Sequence, residues 1–235
     1  MATRGQKGEG TASFSGFPKE TVRFLAGIRA HNERDWFEAH RDDYQRFFLA
    51  PAVAFSEALA PRLRKLDPDI NVEPRVNGSI LRINRDIRFS KDKSPYKDHL
   101  DLWFWTGDRK GWDASGFFFR LRPDRLLLGA GMHGLPPPVL PRYRAAVLDA
   151  RQGAALAALV ARLRKAGYTV GSESYKKVPA GVAADHPRGA LLRHGGLHAS
   201  WEGRPPPSLG TPKLVDFVAK HYAALAPIHR WLRGI

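Results

Sequence analysis

The sequence contains no cysteine, and only two of its 235 residues are methionine. Without cysteine the chain can form no disulfide, thiol nucleophile or thiolate metal site. It also has no run of eighteen apolar residues, and its first sixteen residues lack the apolar stretch of a secretory signal peptide. These absences predict a cytoplasmic protein that has no membrane partner.

Acidic residues are few, since 23 Asp and Glu stand against 38 Lys and Arg, which gives a formal net charge of +15. Most of the excess lies in residues 120–235, which hold 18 basic and 6 acidic residues, whereas residues 1–119 hold 20 and 17. Clustered positive charge attracts polyanions, so a nucleic-acid partner for the basic C-terminal half is one interpretation. A biased genome composition is the other, because no zinc-finger or RNA-binding signature accompanies the charge.

Apolar residues make up 43% of the chain and aromatic residues 11%, which is enough to bury a core. Residues 1–13 are polar and rich in glycine, and they predict a flexible tail. We see no internal repeat and no composition shift typical of a linker, so residues 14–235 predict a single domain.

Apolar residues recur at helical spacing in several segments. Asn32 is the expected N-cap of the second helix, with Glu33 in its first turn. Pro61 is expected to kink the third helix, and Thr211 to cap the last one. Helices are predicted from Pro18, over 32–49, over 51–66, near 139–150 and 152–166, briefly after Pro187, and from Thr211 towards the C-terminus.

Strand periodicity begins at SILRINRDIRF, residues 79–89, where Leu81, Ile83, Ile87 and Phe89 alternate with polar residues. Three further strands are predicted at 99–106, 115–123 and 125–131, and shorter ones near 168–174 and 197–203. The pattern predicts an α+β fold. Its central antiparallel sheet is a meander of about four strands plus one or two later strands, packed with N-terminal and C-terminal helices.

The densest polar stretch is RINRDIRFSKDKSPYKDH, residues 82–99, with six Lys and Arg and three Asp. On a strand, Asp86 would lie between two guanidinium groups on one face. Ser94 and Pro95 predict the start of a short helical turn, and a helix start surrounded by lysines favours an anion. A phosphate or carboxylate ligand is therefore expected to contact Arg82, Arg85, Arg88, Ser90, Lys91, Asp92, Lys93 and Lys97.

Tyr96, His99 and Asp86 are the candidate catalytic residues of this stretch. Imidazole titrates near neutral pH, and lysines beside a phenol are expected to lower the pKa of Tyr96. Competing cations around the aspartates argue against a metal site, and no nucleotide-binding or nucleophile-elbow pattern predicts a cofactor. Whether any reaction takes place here is left open by the residues.

Four segments together resemble a known family: GFPKETVRFL, NERDWFEAHRDDY, the stretch at 82–99, and KKVPAGVAADHP. They are similar to the uncharacterised domain of unknown function 2461, over roughly Phe14 to Leu232. Asn84 departs from the pattern, since similar proteins tend to carry an aromatic or larger residue there. The resemblance implies a soluble, mostly bacterial, single-domain protein, and it implies no established activity.

Three functional interpretations remain. The first is a protein, and in one form an enzyme, that binds a small anionic ligand on residues 82–99. The second is a nucleic-acid-associated protein that uses its basic C-terminal half. The third is a scaffold protein whose charged stretch is a structural salt-bridge network centred on Asp86.

Overall fold

A computed structural model describes residues 13–107, 114–171 and 173–235. Of the predicted flexible tail, residues 1–12 lie outside these ranges. The helices are α1 (Lys19–Ala30), α2 (Arg34–Ala39), α3 (Arg41–Asp43), α4 (Ala50–Leu66), α5 (Leu140–Leu148), α6 (Ala150–Lys165), α7 (Gly189–Leu192) and α8 (Leu214–Arg233), with a π-helical turn at Tyr44–Leu49 and a 3₁₀ turn at Pro207–Gly210. No helix in the described ranges is both long enough and apolar enough to cross a membrane.

The strands form one antiparallel sheet in the order β1-β2-β3-β4-β6-β5. Strands β2, β3 and β4 make three of the four strands of the predicted meander, while β6 inserts between β4 and the short β5. This arrangement confirms the predicted α+β fold. The strands are β1 (Ile70–Asn71), β2 (Leu100–Thr106), β3 (Gly116–Leu121), β4 (Leu126–Met132), β5 (Thr169–Val170) and β6 (Leu197–Gly203).

The strand predicted at residues 79–89 is wrong. Its first residues do pair with β2, since Ile80 bridges Leu102 and the Trp103 N–H donates to the Ser79 carbonyl at 2.8 Å, but no continuous strand forms, and β1 pairs with β2 farther along the same edge. Ile83 is buried, but Phe89 is 95% exposed. The chain leaves the sheet direction at Arg85, whose backbone N–H bonds to the Pro95 carbonyl at 2.9 Å, so the apolar residues that follow never face the core.

The second predicted helix is also broken, into α2, α3 and the π-helical turn. Glu33, not Asn32, stands at the N-cap of α2. The Asn32 side chain instead holds the backbone of Tyr96, accepting from its N–H at 2.9 Å and donating to its carbonyl at 3.0 Å. Within this segment the Trp36 ring stacks on the His40 ring with centroids 4.0 Å apart.

One face of the sheet carries the main core, where α8 packs against β3, β4 and β6. The Tyr222 ring lies 5.0 Å from that of Phe117, and Phe119 packs 5.1 Å from Phe55 of α4. Side chains alternate along a strand, so Phe118 and Arg120 project from the opposite face. The buried residues of α8 include Leu214, Val215, Val218, Tyr222 and Leu225.

Candidate functional site

Residues 86–94 form a loop whose ends are held together. Asn84 bridges to Tyr96, and the Lys97 N–H donates to the Ile83 carbonyl at 2.8 Å. The helical turn predicted at Ser94 is wrong, because Asp92 accepts from the Ser94 N–H at 2.9 Å and from its hydroxyl at 2.6 Å. This turn is therefore made by an aspartate side chain, not by a helix start.

Much of the predicted ligand site points away from the protein. Arg88 and Asp86 form a bidentate pair at 2.7 and 2.9 Å, but the Arg88 side chain is 76% exposed. Hydrogen bonds from Arg88, together with the charges of Arg88 and Arg82, lower the pKa of Asp86 to about 2. The exposed members of the predicted site are Arg82, Asp86, Arg88, Lys91, Asp92 and Lys93.

A cavity of about 400 Å³, here called the motif cavity, lies where the end of this loop meets the segment between α1 and α2. Five predicted residues line it, while Arg82, Asp86, Arg88, Ser90, Lys91 and Lys93 do not. The sequence did not point to Arg29, because only the fold brings it near the loop. The lining comprises Arg29, Asn32, Arg85, Asp92, Ser94, Tyr96, Lys97, Asp98 and His99.

A chain of charged side chains runs from this cavity into the sheet. Asp98 accepts from Arg29 Nε at 2.9 Å and lies 2.8 Å from His99 Nδ1. His99 Nε2 lies 3.2 Å from Asp101, which also accepts from Arg120 Nε at 2.7 Å. Burial alone would raise the pKa of Asp101, but hydrogen bonds from His99 and Arg120 outweigh it and lower that pKa to about 2.

A comparison with protein families gives one match. The family model described as a conserved hypothetical protein (DUF2461) covers residues 20–231. The chain belongs to this family. A search of curated proteins finds no match. The matched region of this DUF2461 protein includes every residue that lines the motif cavity.

Lys97 is the cation of the motif cavity that is least closely matched by a carboxylate. Its Nζ lies 3.7 Å from Asp101, whereas Arg29 and Arg85 each contact a carboxylate at hydrogen-bond distance. Burial lowers the pKa of Lys97, and repulsion from Arg120 adds to this against the attraction of Asp101. An anion that entered the cavity would restore the charge balance around this ammonium group.

The expectation of a lowered pKa at Tyr96 is wrong. Burial raises the pKa of this phenol, and the negative charge of Glu38 raises it further. The ring stacks on Phe37 with centroids 4.4 Å apart, and Tyr96 is buried in the core. Tyr96 therefore remains protonated at neutral pH, so it is a poor general base there.

A second polar network, which the sequence did not reveal, lies inside the DUF2461 fold. His229 is fully buried; its Nε2 lies 2.7 Å from Asp67 and its Nδ1 2.7 Å from Ser115. A carboxylate only accepts, so Nε2 carries the proton of the neutral ring, and Nδ1 accepts from the Ser115 hydroxyl. Thr106 and Arg233 also donate to Asp67. The network joins the end of α4 to the sheet and to the last turn of α8.

Proposed function

We propose that this DUF2461 protein binds a small phosphate- or carboxylate-bearing ligand in the motif cavity. The observation that carries the proposal is the set of three cations, Arg29, Arg85 and Lys97, around one cavity of about 400 Å³. Two carboxylates, Asp92 and Asp98, also line it. Leaving aside His99, whose two ring nitrogens lie beside Asp98 and Asp101, the lining therefore keeps one positive charge in excess, which favours an anionic group.

Lys97 is the expected centre of recognition. Asp98 already accepts from Arg29, and Asp92 already accepts from Arg85. Part of the hydrogen-bonding capacity of these two guanidinium groups is therefore used within the protein. The 3.7 Å contact from Lys97 to Asp101 exceeds hydrogen-bond length, which leaves room for a closer acceptor. His99 lines the same cavity, where its imidazole can exchange a proton with a bound oxyanion.

Replacing Lys97 by methionine should weaken binding of the best anion by roughly tenfold or more, because a hydrogen bond to a charged group contributes about 1.5–3 kcal/mol. Thermal-shift screening of inorganic phosphate, nucleotides, sugar phosphates and acyl phosphates would select the anion. Isothermal titration calorimetry would then give its Kd with the wild type and with the variant.

Lys91→Met is the matched control, because Lys91 is an exposed lysine of the same loop that does not line the cavity. It removes the same charge from the protein and should leave the Kd close to the wild-type value. Equal losses of affinity in the two variants would show that net charge, not the cavity, governs binding.

A second candidate function is binding of single-stranded nucleic acid by the loop itself. Phe89 is 95% exposed and stands among exposed cations that include Arg82, Lys91 and Lys93. An accessible aromatic ring on which a base can stack, flanked by cations that contact phosphates, is typical of single-strand binding. This places the contact on residues 82–93, and not on the basic C-terminal half.

Under this second function, Phe89→Ala should weaken binding of an oligothymidylate roughly tenfold at low salt, because one base loses its stacking partner. Fluorescence anisotropy with a labelled oligonucleotide would measure it, and affinity should fall steeply with added salt. Phe89→Trp preserves stacking and serves as the control. Wild-type protein that does not bind at low salt would exclude this function.

A further inference from the structure

A second cavity, of about 440 Å³, lies over the sheet face opposite α8 and is here called the sheet-face cavity. Its floor follows the strand register, in which Trp103 pairs with Phe118 and Asp101 pairs with Arg120. Leu127 of β4 pairs with Arg120 and completes this row. The residues come from adjacent positions of three paired strands, so a regular sheet fixes their spacing.

Glycine at position 129 allows the floor to be flat. A Cβ atom there would lie 2.2 Å from the Phe118 ring, so this ring lies directly across the backbone of β4. Phe118 is only partly buried, as is Leu127 beside it. An aromatic ring and an aliphatic side chain therefore form the base of the cavity, a surface suited to a flat ring.

The charges of the sheet-face cavity compensate each other. Arg120 donates to both oxygens of Asp101, at 2.7 and 3.1 Å, through Nε and Nη2. At the other end, burial and the charge of His133 lower the pKa of His198, so that imidazole is neutral at pH 7. The lining described here therefore has no excess charge of either sign to attract an ion, in contrast to the lining of the motif cavity.

One strong donor remains for an occupant. The Nη1 group of Arg120 has no hydrogen-bond partner among the described residues, and the side chain is about one-third exposed. A guanidinium with two of its nitrogens committed to a carboxylate still donates from the third. A carbonyl oxygen is the matching acceptor, since it brings no net charge.

We propose that the sheet-face cavity binds an uncharged small molecule that carries a flat ring and a carbonyl group. The ring lies on Phe118 and Leu127, and the carbonyl oxygen accepts from Arg120. This site does not depend on the anion proposed for the motif cavity. The Asp101 carboxylate connects the two cavities: Lys97 and His99 of the motif cavity lie 3.7 and 3.2 Å from it, and Arg120 of the sheet-face cavity lies 2.7 Å from it.

The test uses three probes on the full chain: benzamide, benzoate and cyclohexanecarboxamide. Ligand-observed NMR titration, with inorganic phosphate saturating the motif cavity, should give benzamide the lowest Kd, because benzoate brings a charge and the cyclohexane ring is not flat. Leu127→Trp, which fills the cavity, should weaken benzamide binding about tenfold or more, equivalent to at least 1.4 kcal/mol. Leu127→Met conserves volume and should bind like the wild type.

Equal benzamide binding by wild type and Leu127→Trp would overturn the proposal, as would no binding of benzamide by the wild type. If Leu127→Trp fails to fold by circular dichroism, Phe118→Leu replaces it. That variant should weaken benzamide more than cyclohexanecarboxamide, and equal weakening of both would refute a ring-specific site. Saturating inorganic phosphate should not displace benzamide. Full competition between them would show that both bind at one site, and it would refute a separate sheet-face site.

Discussion

Replacing Asp101 by alanine should lower the free energy of unfolding by about 3 kcal/mol, as expected when one partner of a buried ion network is lost. The Asp101 side chain is only 6% exposed and accepts hydrogen bonds from Arg120, while His99 and Lys97 lie within 3.2 and 3.7 Å. The variant leaves these cationic groups beside the sheet without their carboxylate. The value is taken at the lower end of the usual range because Arg120 is partly exposed.

Urea denaturation at pH 7 would measure this loss, with Asp86→Ala as the matched control. Asp86 also pairs with an arginine, but both side chains are exposed, so its removal should change stability little. The scaffold interpretation expected the structural salt bridge at Asp86, whereas the Asp86 side chain is exposed and that of Asp101 is buried. Equal stability of the two variants would contradict this assignment.

The stabilising contribution of the Asp101 network should also be lost in acid. The pKa of Asp101 is about 2 in the folded protein, below the 3.8 of a free aspartate, so the unfolded chain binds its proton first. Its stabilising contribution is therefore complete above about pH 4 and is lost as the pH falls towards 2. Asp101→Ala should lose less stability than the wild type across this interval.

Removing the carboxylate of Asp67 should be at least as damaging, with an expected loss of about 3–5 kcal/mol. Asp67 and His229 are both buried, and the change leaves the His229 N–H and the Thr106 hydroxyl without their acceptor. It also takes one carboxylate from Arg233. Thermal and urea unfolding of Asp67→Ala would give the value.

Asp69→Ala is the control for this variant, because Asp69 binds the same arginine at 2.8 Å but its side chain is 70% exposed. Asp69→Ala should leave the free energy of unfolding nearly unchanged, and a loss as large as that of Asp67→Ala would refute the role of burial.

Burial also lowers the pKa of His229. The unfolded chain therefore protonates this residue first, so stability is complete above about pH 6.5 and declines below it.

Helices and strands whose apolar residues recur at a regular spacing were predictable from the sequence. The apolar spacing of α8 and the alternation of the β2–β4 meander each follow from local residues, and both are confirmed. Residues 79–89 alternate equally well, yet only residues 79–81 bond to β2 and no strand forms, because alternation does not reveal where the chain leaves the sheet edge. The short strand β1 pairs with β2 farther along the same edge through only two residues, too few to produce a period.

In the candidate site, too, residues that are close in the sequence were predicted, and contacts between residues far apart in the sequence were not. Arg85, Lys97 and His99 were predicted because they share one dense motif, and all three line the motif cavity. Asn32 was assigned to a helix cap, since its partner Tyr96 lies 64 residues away and local rules favour the cap. Asp67 and His229 are 162 residues apart, so no spacing rule could have joined them.

The closed base of the loop at residues 86–94 has an evolutionary consequence. Its two ends are fixed by backbone contacts of Arg85 and Lys97 and by the Asn32 side chain, none of which depends on the residues in between. Insertions or new side chains at the tip can therefore be tried without disturbing the sheet. Such a loop can accept sequence changes without a change of fold, and it is a convenient position for grafting a peptide or a label.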